Sequence, residues 1–237
     1  MKPIAVFQHS PLVGPGHFAS FLDARKLPWQ HIRIDQGAAV PDSAAPFAGL
    51  CFMGGEMSVN DELPWITQEL ALIREAVALD IPVIGHCLGG QLMAKALGGT
   101  VTRNPQHEIG WGRVELAANA TARHWLGDLS DFDCFHWHSE TFTLPATAVP
   151  LFSSAFCSNQ AFALGPHLGM QCHVEMTEGL ITSWASEWSH DLAVEPSAPA
   201  PVQSRSALLA ELPSKLPAMR AVAEHLYERW LLNVHTK

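Results

Sequence analysis

The segment Pro82-Val83-Ile84-Gly85-His86-Cys87-Leu88-Gly89-Gly90-Gln91 constrains the fold more than any other, because it reads as a buried strand turning sharply into a helix. Val83 and Ile84 supply a short apolar strand, Gly85 and Gly89 remove side chains where strand and helix must approach, and Leu88 to Leu97 carries helix-forming residues. Cys87, at the turn, is then held at a helix N-terminus. Unpaired N–H groups and the helix macrodipole stabilise negative charge on sulfur there, and the same N–H groups can later hold an oxyanion. A free cysteine is more often buried and inert. The flanking glycines argue instead for an exposed, activated thiol, since Gly-Xaa-Cys-Xaa-Gly has the spacing of the Gly-Xaa-Ser-Xaa-Gly nucleophile elbow.

Upstream, Ile4 to Phe7 reads as a strand, Phe18, Phe21, Leu22 and Arg25 fall at helical spacing, and Gln30 to Ile34 follows Pro28 as a second strand. Phe47 to Met53 is an apolar run closing on Gly54-Gly55. Leu63 to Leu79 is an amphipathic helix with Asn60 or Asp61 as its cap. Strand and helix alternating over short connections predict a three-layer α/β/α fold with a mostly parallel central sheet. Sites in such sheets form beyond the carboxyl ends of the strands, where Gly54-Gly55 and Cys87 both lie. From Thr100 to Gln171 the pattern changes to short alternating runs, Gly112 to Leu116, Phe132 to Trp137, Pro150 to Ser153 and Ala161 to Leu164, which predict an additional small antiparallel sheet. Gly169 to Met176 is expected as one more strand and Thr177 to Trp188 as a helix capped by Thr177. Residues 1–237 are expected to form one domain, with a mobile loop over 191–204 and a helical segment over 205–237 packed on it; Pro213 and Pro217 should interrupt that helix. Trp184, Trp188 and Trp230 are expected in the core or at a dimer contact.

A base must lie within reach of a nucleophilic cysteine, and a partner must fix the tautomer of that base. In Gln171-Cys172-His173-Val174-Glu175, residues at i and i+2 of a strand project together, so His173 and Glu175 would point to the site and Cys172 and Val174 into packing. Two backbone N–H groups commonly hold the oxyanion. Leu88 supplies one, and the turn Gly54-Gly55 is the source of the other, because glycine allows the backbone to turn an N–H inward.

Together these segments resemble the class I, or triad, glutamine amidotransferases. Gly-His-Cys-Leu-Gly-Gly-Gln is similar to that family's Gly-Xaa-Cys-Xaa-Gly-Xaa-Gln, Gly54-Gly55-Glu56 to its Gly-Gly-Pro, and Gln171-Cys172-His173-Val174-Glu175 to its Gln-Phe-His-Pro-Glu, all in family order. Glu56, Cys172 and Val174 depart from that pattern and leave the three reactive positions intact. The resemblance implies a flavodoxin-like fold with Cys87 as nucleophile, His173 as base, Glu175 as its orienter and Gly55 and Leu88 as oxyanion donors. It also puts Gly54, Glu56, Gln91, His138 and Ser139 against the substrate. His107 to Trp111 and Phe135 to Glu140 look like a stand-alone branch similar to the glutaminase portion of GMP synthase.

The implied reaction is hydrolysis of the γ-amide of glutamine through a γ-glutamyl thioester, releasing ammonia and glutamate. A γ-glutamyl peptidase would use the same residues on a larger donor, and a non-catalytic interaction or regulatory subunit is the rival from another class. No ATP-pyrophosphatase domain and no Ser-Gly-Gly-Xaa-Asp loop occur in the sequence, so a separate synthetase subunit is the expected acceptor of ammonia.

Acidic residues outnumber basic ones by 23 to 14 with no basic patch, which argues against nucleic acid and anionic membranes as partners. Only 16% of residues are charged, which fits either a large buried fraction or an apolar face for a homodimer. Five cysteines without a CxxC pair, the Met1-Lys2-Pro3-Ile4 start and the lack of long apolar runs predict a soluble protein of the reducing cytoplasm. Cofactors are not expected. His136 and His138, at i and i+2, invite a metal, yet without HExxH or paired CxxC a stacked or hydrogen-bonded pair among the aromatics is the expectation, and no metal is assigned.

Overall fold

The computed structural model describes residues 2–193 and 201–234. Its strands are β1 (Ile4–Gln8), β2 (Trp29–Arg33), β3 (Gly49–Phe52), β4 (Val83–His86), β5 (Val101–Leu116), β6 (Asp131–Phe142), β7 (Val149–Ser154), β8 (Ala161–Leu164) and β9 (His167–Met170). The helices are α1 (Gly16–Ala24), α2 (Pro64–Ala78), α3 (Leu88–Ala96), α4 (Ala120–Leu126), α5 (Glu178–Glu187) and α6 (Arg205–Leu231). The strands form one sheet in the order β2-β1-β3-β4-β9-β8-β7-β5-β6.

Period-two alternation builds the three layers. Along β1, Ile4 and Val6 face one apolar cluster while Ala5 and Phe7 face another. The first cluster takes its helical side chains from α1, α4, α5 and α6, and the second takes them from α2 and α3. Trp184 and Trp230 are core residues of the first cluster, and Trp188 is partly buried against it.

The separate antiparallel sheet expected from the alternating runs does not form. β9 pairs parallel with β4 on one edge and antiparallel with β8 on the other, so it joins the parallel half to β8, β7, β5 and β6 in one mixed sheet. Two further expectations fail at helix ends and interiors. Leu63 rather than Asn60 or Asp61 precedes α2, with Pro64 filling the first helical position, where a missing N–H costs nothing. Asn60 instead reaches Val101 O (3.0 Å) and Lys95, and Asp61 accepts from Ser58 N (3.0 Å). Pro213 and Pro217 do not interrupt α6. Both are exposed, so the carbonyls they leave unpaired can bond water, while Leu208, Leu212, Leu216 and Met219 on the opposite stripe anchor the helix in the core.

Of the mobile loop expected over 191–204, residues 194–200 lie outside the described residues, as do 235–237 of the C-terminal segment. The described ends of the loop are tied down. Ala193 N–H donates to Gln203 O (3.1 Å), Ile109 N–H to Pro201 O (2.7 Å) and Gln203 N–H to Ile109 O (2.9 Å). All five cysteines are free and buried. Among the described residues no helix is long and apolar enough to cross a membrane.

One core contact makes stability depend on acid. His167 opens β9 at 1% exposure, and Val83 N–H donates to its Nδ1 (3.2 Å), which therefore carries no proton. Burial, only partly offset by the Asp80 charge, lowers its pKa from 6.5 to about 4. Between those values the unfolded chain binds a proton that the folded chain refuses. The contribution is complete above the unfolded value and is lost as pH falls toward the folded one, a loss of roughly 3 kcal/mol from this group. Urea unfolding at pH 7 and pH 4.5 should therefore show a smaller acid loss in His167→Gln than in the parent; equal losses would exclude His167 as a source.

Candidate active site

Cys87 sits between β4 and α3 with φ 50° and ψ −106°, a backbone conformation that L residues other than glycine seldom adopt. Glycines make the turn possible. A Cβ on Gly89 would collide with the Phe52 carbonyl, and one on Gly85 with the backbone of Gly89, so β3, β4 and α3 meet there at backbone distance. Cys87 N–H donates to Met170 O (2.8 Å), which fixes the elbow to the end of β9. The thiol is less open than the sequence suggests: Cys87 is 6% exposed and lies in the wall of a pocket.

His173 and Glu175 meet, though not on a strand. β9 ends at Met170, and the next residues are held one at a time by other elements, Gln171 N–H by Gln160 O (2.8 Å) and His173 N–H by Phe135 O (2.8 Å), while Glu175 O accepts from His17 N–H (2.7 Å). This irregular path still brings His173 Nδ1 to donate to Glu175 Oε1 at 2.7 Å. Cys172 and Val174 point into the core. Trp184 packs edge-on against the imidazole, with centroids 5.0 Å apart. A Cβ on Gly54 would lie 3.2 Å from His173 Cε1 and 3.6 Å from Cys87 Cβ, so the thiol-bearing residue and the imidazole flank the same glycine.

Electrostatics couples this trio. Burial alone would depress the His173 pKa, but the Glu175 carboxylate and the Cys87 sulfur outweigh it and hold the imidazole well above its ordinary value. Burial would likewise raise Glu175, and the positive field of His173 and then His86 brings it below the ordinary carboxylate value instead. A buried carboxylate is kept charged by the imidazolium that it stabilises.

Gly55 and Leu88 adjoin, since a Cβ on Gly55 would lie 2.8 Å from Leu88 Cδ2. Neither N–H has an acceptor among the described residues, and Leu88 is the first residue of its helix, where no intrahelical acceptor exists. His9 supports the Gly54-Gly55 turn from below, its imidazole bridging Met53 O (3.1 Å) and the buried carboxylate of Glu69 (3.0 Å). Glu56 is exposed, with one oxygen taking Ser10 Oγ–H (3.1 Å). Gln91 donates its amide to Gln171 Oε1 (3.1 Å), and Gln171 donates to Cys87 Sγ (3.5 Å). Gln171 was not singled out by sequence; the signal was its place beside His173 in the family's motif.

Cys87, His173, Gly55, Glu56, Gln91, His138 and Ser139 all line one pocket of about 510 Å³. Gly54, Leu88 and Glu175 are not on its surface. The pocket is also lined by Arg103, Trp137, Asp191 and Glu140, whose carboxylate accepts from Ser58 Oγ (3.0 Å), and by Trp184 and Trp188, which were expected only in the core or at a dimer contact. The expected pairing of His136 with His138 is not formed. Their centroids are 6.0 Å apart with planes at 56°, and His136 has no hydrogen-bond partner among the described residues.

A three-layer sheet carrying a cysteine at a strained strand-to-helix elbow, with a bonded His–Glu pair beside it, defines the nucleophile-elbow class of α/β proteins. The family model described as glutamine amidotransferase class-I matches residues 22–183, and the chain belongs to that family. It is similar to the glutamine amidotransferase-like protein YfeJ of Salmonella typhimurium, 34% identical over 187 residues, covering 73% of this chain and 77% of that protein. Among solved structures, a glutamine amidotransferase from Methylobacillus flagellatus superposes with a TM-score of 0.96 at 42% identity, covering 100% of this chain and 97% of that one. The GMP synthase of Acetivibrio thermocellus is 35% identical over 94 residues, which is 40% of this chain and only 17% of that enzyme's length.

Proposed function

We propose that this chain hydrolyses the γ-amide of glutamine with Cys87 as the nucleophile. The observation that carries the proposal is the His173–Glu175 bond of 2.7 Å beside a cysteine held at φ 50°. The Cys87 thiolate adds to the γ-carbonyl carbon, and the resulting oxyanion accepts from the N–H groups of Gly55 and Leu88. His173 gives its proton to the nitrogen, the C–N bond breaks, and ammonia leaves a γ-glutamyl thioester on sulfur. Water then attacks the thioester as His173 takes one of its protons, and glutamate departs with the thiolate restored. Gln171 holds the sulfur, Gln91 holds Gln171, and Glu56, His138 and Ser139 border the glutamyl group. Ammonia passes to a separate synthetase subunit, the counterpart of the much longer remainder of the GMP synthase to which this chain is similar.

A second reading has its own support. A pocket of about 510 Å³ is in the size range of sites for drug-sized ligands and leaves space past the thiol for a leaving group larger than ammonia. A γ-glutamyl peptide or conjugate would fill that space as the donor. A screen of glutamine against γ-glutamyl dipeptides, reading glutamate and the released amine, separates the readings: the better donor is expected to have the higher kcat/KM by tenfold or more. A diazoketone analogue of glutamine is expected to alkylate Cys87. Failure to label, with no donor turned over, would leave a non-catalytic interaction subunit as the correct reading.

A further inference from the structure

Behind the pocket wall, β5 and β6 pair Glu108 with His138 and Gly110 with His136. His136 and His138 are i and i+2 on β6 and so share a face. One ligand atom from each of Glu108, His136 and His138 lies within 4.8 Å of the other two, and all three residues are buried. The cluster has room because Gly112 lacks a side chain: a Cβ there would lie 2.9 Å from His136 Nε2.

Hydrogen bonding within the cluster is incomplete in a particular way. His136 is 1% exposed, yet neither of its ring nitrogens has a partner among the described residues. His138 Nδ1 lies 2.9 Å from Glu140 O, a carbonyl that can only accept, so Nδ1 bears the hydrogen. In the neutral ring Nε2 then turns a lone pair toward Glu108 Oε2 at 3.1 Å, acceptor facing acceptor, with only the longer contact from the Gln160 amide (3.4 Å) to offer it a hydrogen. Gln160 Oε1 is also without a partner among the described residues. The carboxylate is meanwhile oriented from outside, by Ser154 Oγ–H (2.6 Å) and by the Gln160 amide (2.7 Å). A buried imidazole with no partner on either nitrogen, set beside a fixed carboxylate and a second imidazole whose opposite nitrogen is bonded to a carbonyl, forms the pattern of ligands oriented around a cation.

We propose that Glu108, His136 and His138 bind one divalent transition-metal ion of the zinc class, with a fourth position open to water. Two imidazoles and a carboxylate suit Zn²⁺ or Co²⁺, whereas Mg²⁺ and Ca²⁺ take oxygen ligands. The ion would fix His138, and with it the wall of the glutamine pocket, without entering the hydrolysis. The proposal does not depend on the activity assigned to Cys87.

The full chain, stripped with a chelator, is titrated with Co²⁺ and then Zn²⁺. The expected result is one Co²⁺ per chain with the visible bands of a four-coordinate ion, displaced by one equivalent of Zn²⁺, and no sulfur-to-cobalt charge-transfer band. Cys87→Ala should bind equally, which separates this site from the thiol. His136→Ala and Glu108→Gln, checked for folding by circular dichroism, should each weaken Co²⁺ binding at least tenfold. If those variants do not fold, zinc X-ray absorption on the unmodified chain decides, with two imidazoles and no sulfur expected in the shell. Absence of stoichiometric binding, unchanged affinity in a folded variant, or sulfur in the shell would overturn the site and leave His138 and Glu108 as a structural pair.

Discussion

Cys87→Ala is expected to lower glutamine hydrolysis by four or more orders of magnitude while leaving the fold intact. The size follows from the role. Removing the nucleophile of a covalent mechanism abolishes the thioester path altogether, and losses on the order of 10⁴ to 10⁶ in kcat are typical where nucleophile and base act as one unit. Stability should change little, because the strained backbone at φ 50° is imposed by Cys87 N–H bonding to Met170 O and by the glycine contacts around it. Alanine keeps that N–H and the same Cβ. The loss should fall on kcat with KM unchanged or lower, since glutamine would still meet Glu56, His138 and Ser139. Ammonia release and thermal unfolding of parent and variant measure the two expectations; turnover within tenfold of the parent would remove Cys87 from the reaction.

The elbow and the parallel half of the sheet were legible because each of their features is local. Apolar runs of the right length and glycines at the crossing of Phe52 with α3 both carry their reason within a few residues. What failed depended on distant partners. The antiparallel strands do alternate as a separate sheet would, but whether they stand apart is decided by β9, whose two edges meet β4 and β8. Pro213 and Pro217 break helices by local rules, and only the burial of Leu208, Leu212, Leu216 and Met219 shows why α6 runs through them. His173 and Glu175 meet by a route other than the strand expected from their spacing. A strand would have aligned them by its pleat, whereas bonds from Phe135 and His17 to their backbones bring them together. Gln171 was missed for the same cause, because its contact with Cys87 spans 84 positions and nothing nearby in sequence announces it.

Glu175→Gln is expected to lower kcat/KM by roughly 10² to 10⁴ and to move the alkaline limb of the pH–rate profile to lower pH. Both effects have one origin. His173 Nδ1 donates to Glu175 Oε1, so the carboxylate holds the ring in the tautomer that leaves its other nitrogen free to take a proton. A glutamine side chain can present N–H in place of oxygen, stabilising the opposite tautomer and a ring that no longer accepts a proton from sulfur. The pH shift follows from charge. Burial pulls the His173 pKa down, and the Glu175 and Cys87 charges together raise it well above 6.5. With Glu175 neutral, burial meets only the Cys87 contribution, so the imidazolium that protonates the leaving nitrogen is lost at a lower pH. Stability follows the same sign. The folded pKa of His173 lies above its unfolded value, so its contribution is complete below about 6.5 and is lost as pH rises through the folded pKa. Glu175, with a lowered folded pKa, contributes above its ordinary value of 4.5 and loses that contribution as pH falls. In the variant the Glu175 contribution disappears and that of His173 shrinks, and unfolding at neutral pH should require less denaturant. A side chain that merely filled space beside His173 would leave the alkaline limb where it was, so the pH–rate profile, more than the loss of rate, tests whether this carboxylate tunes the base.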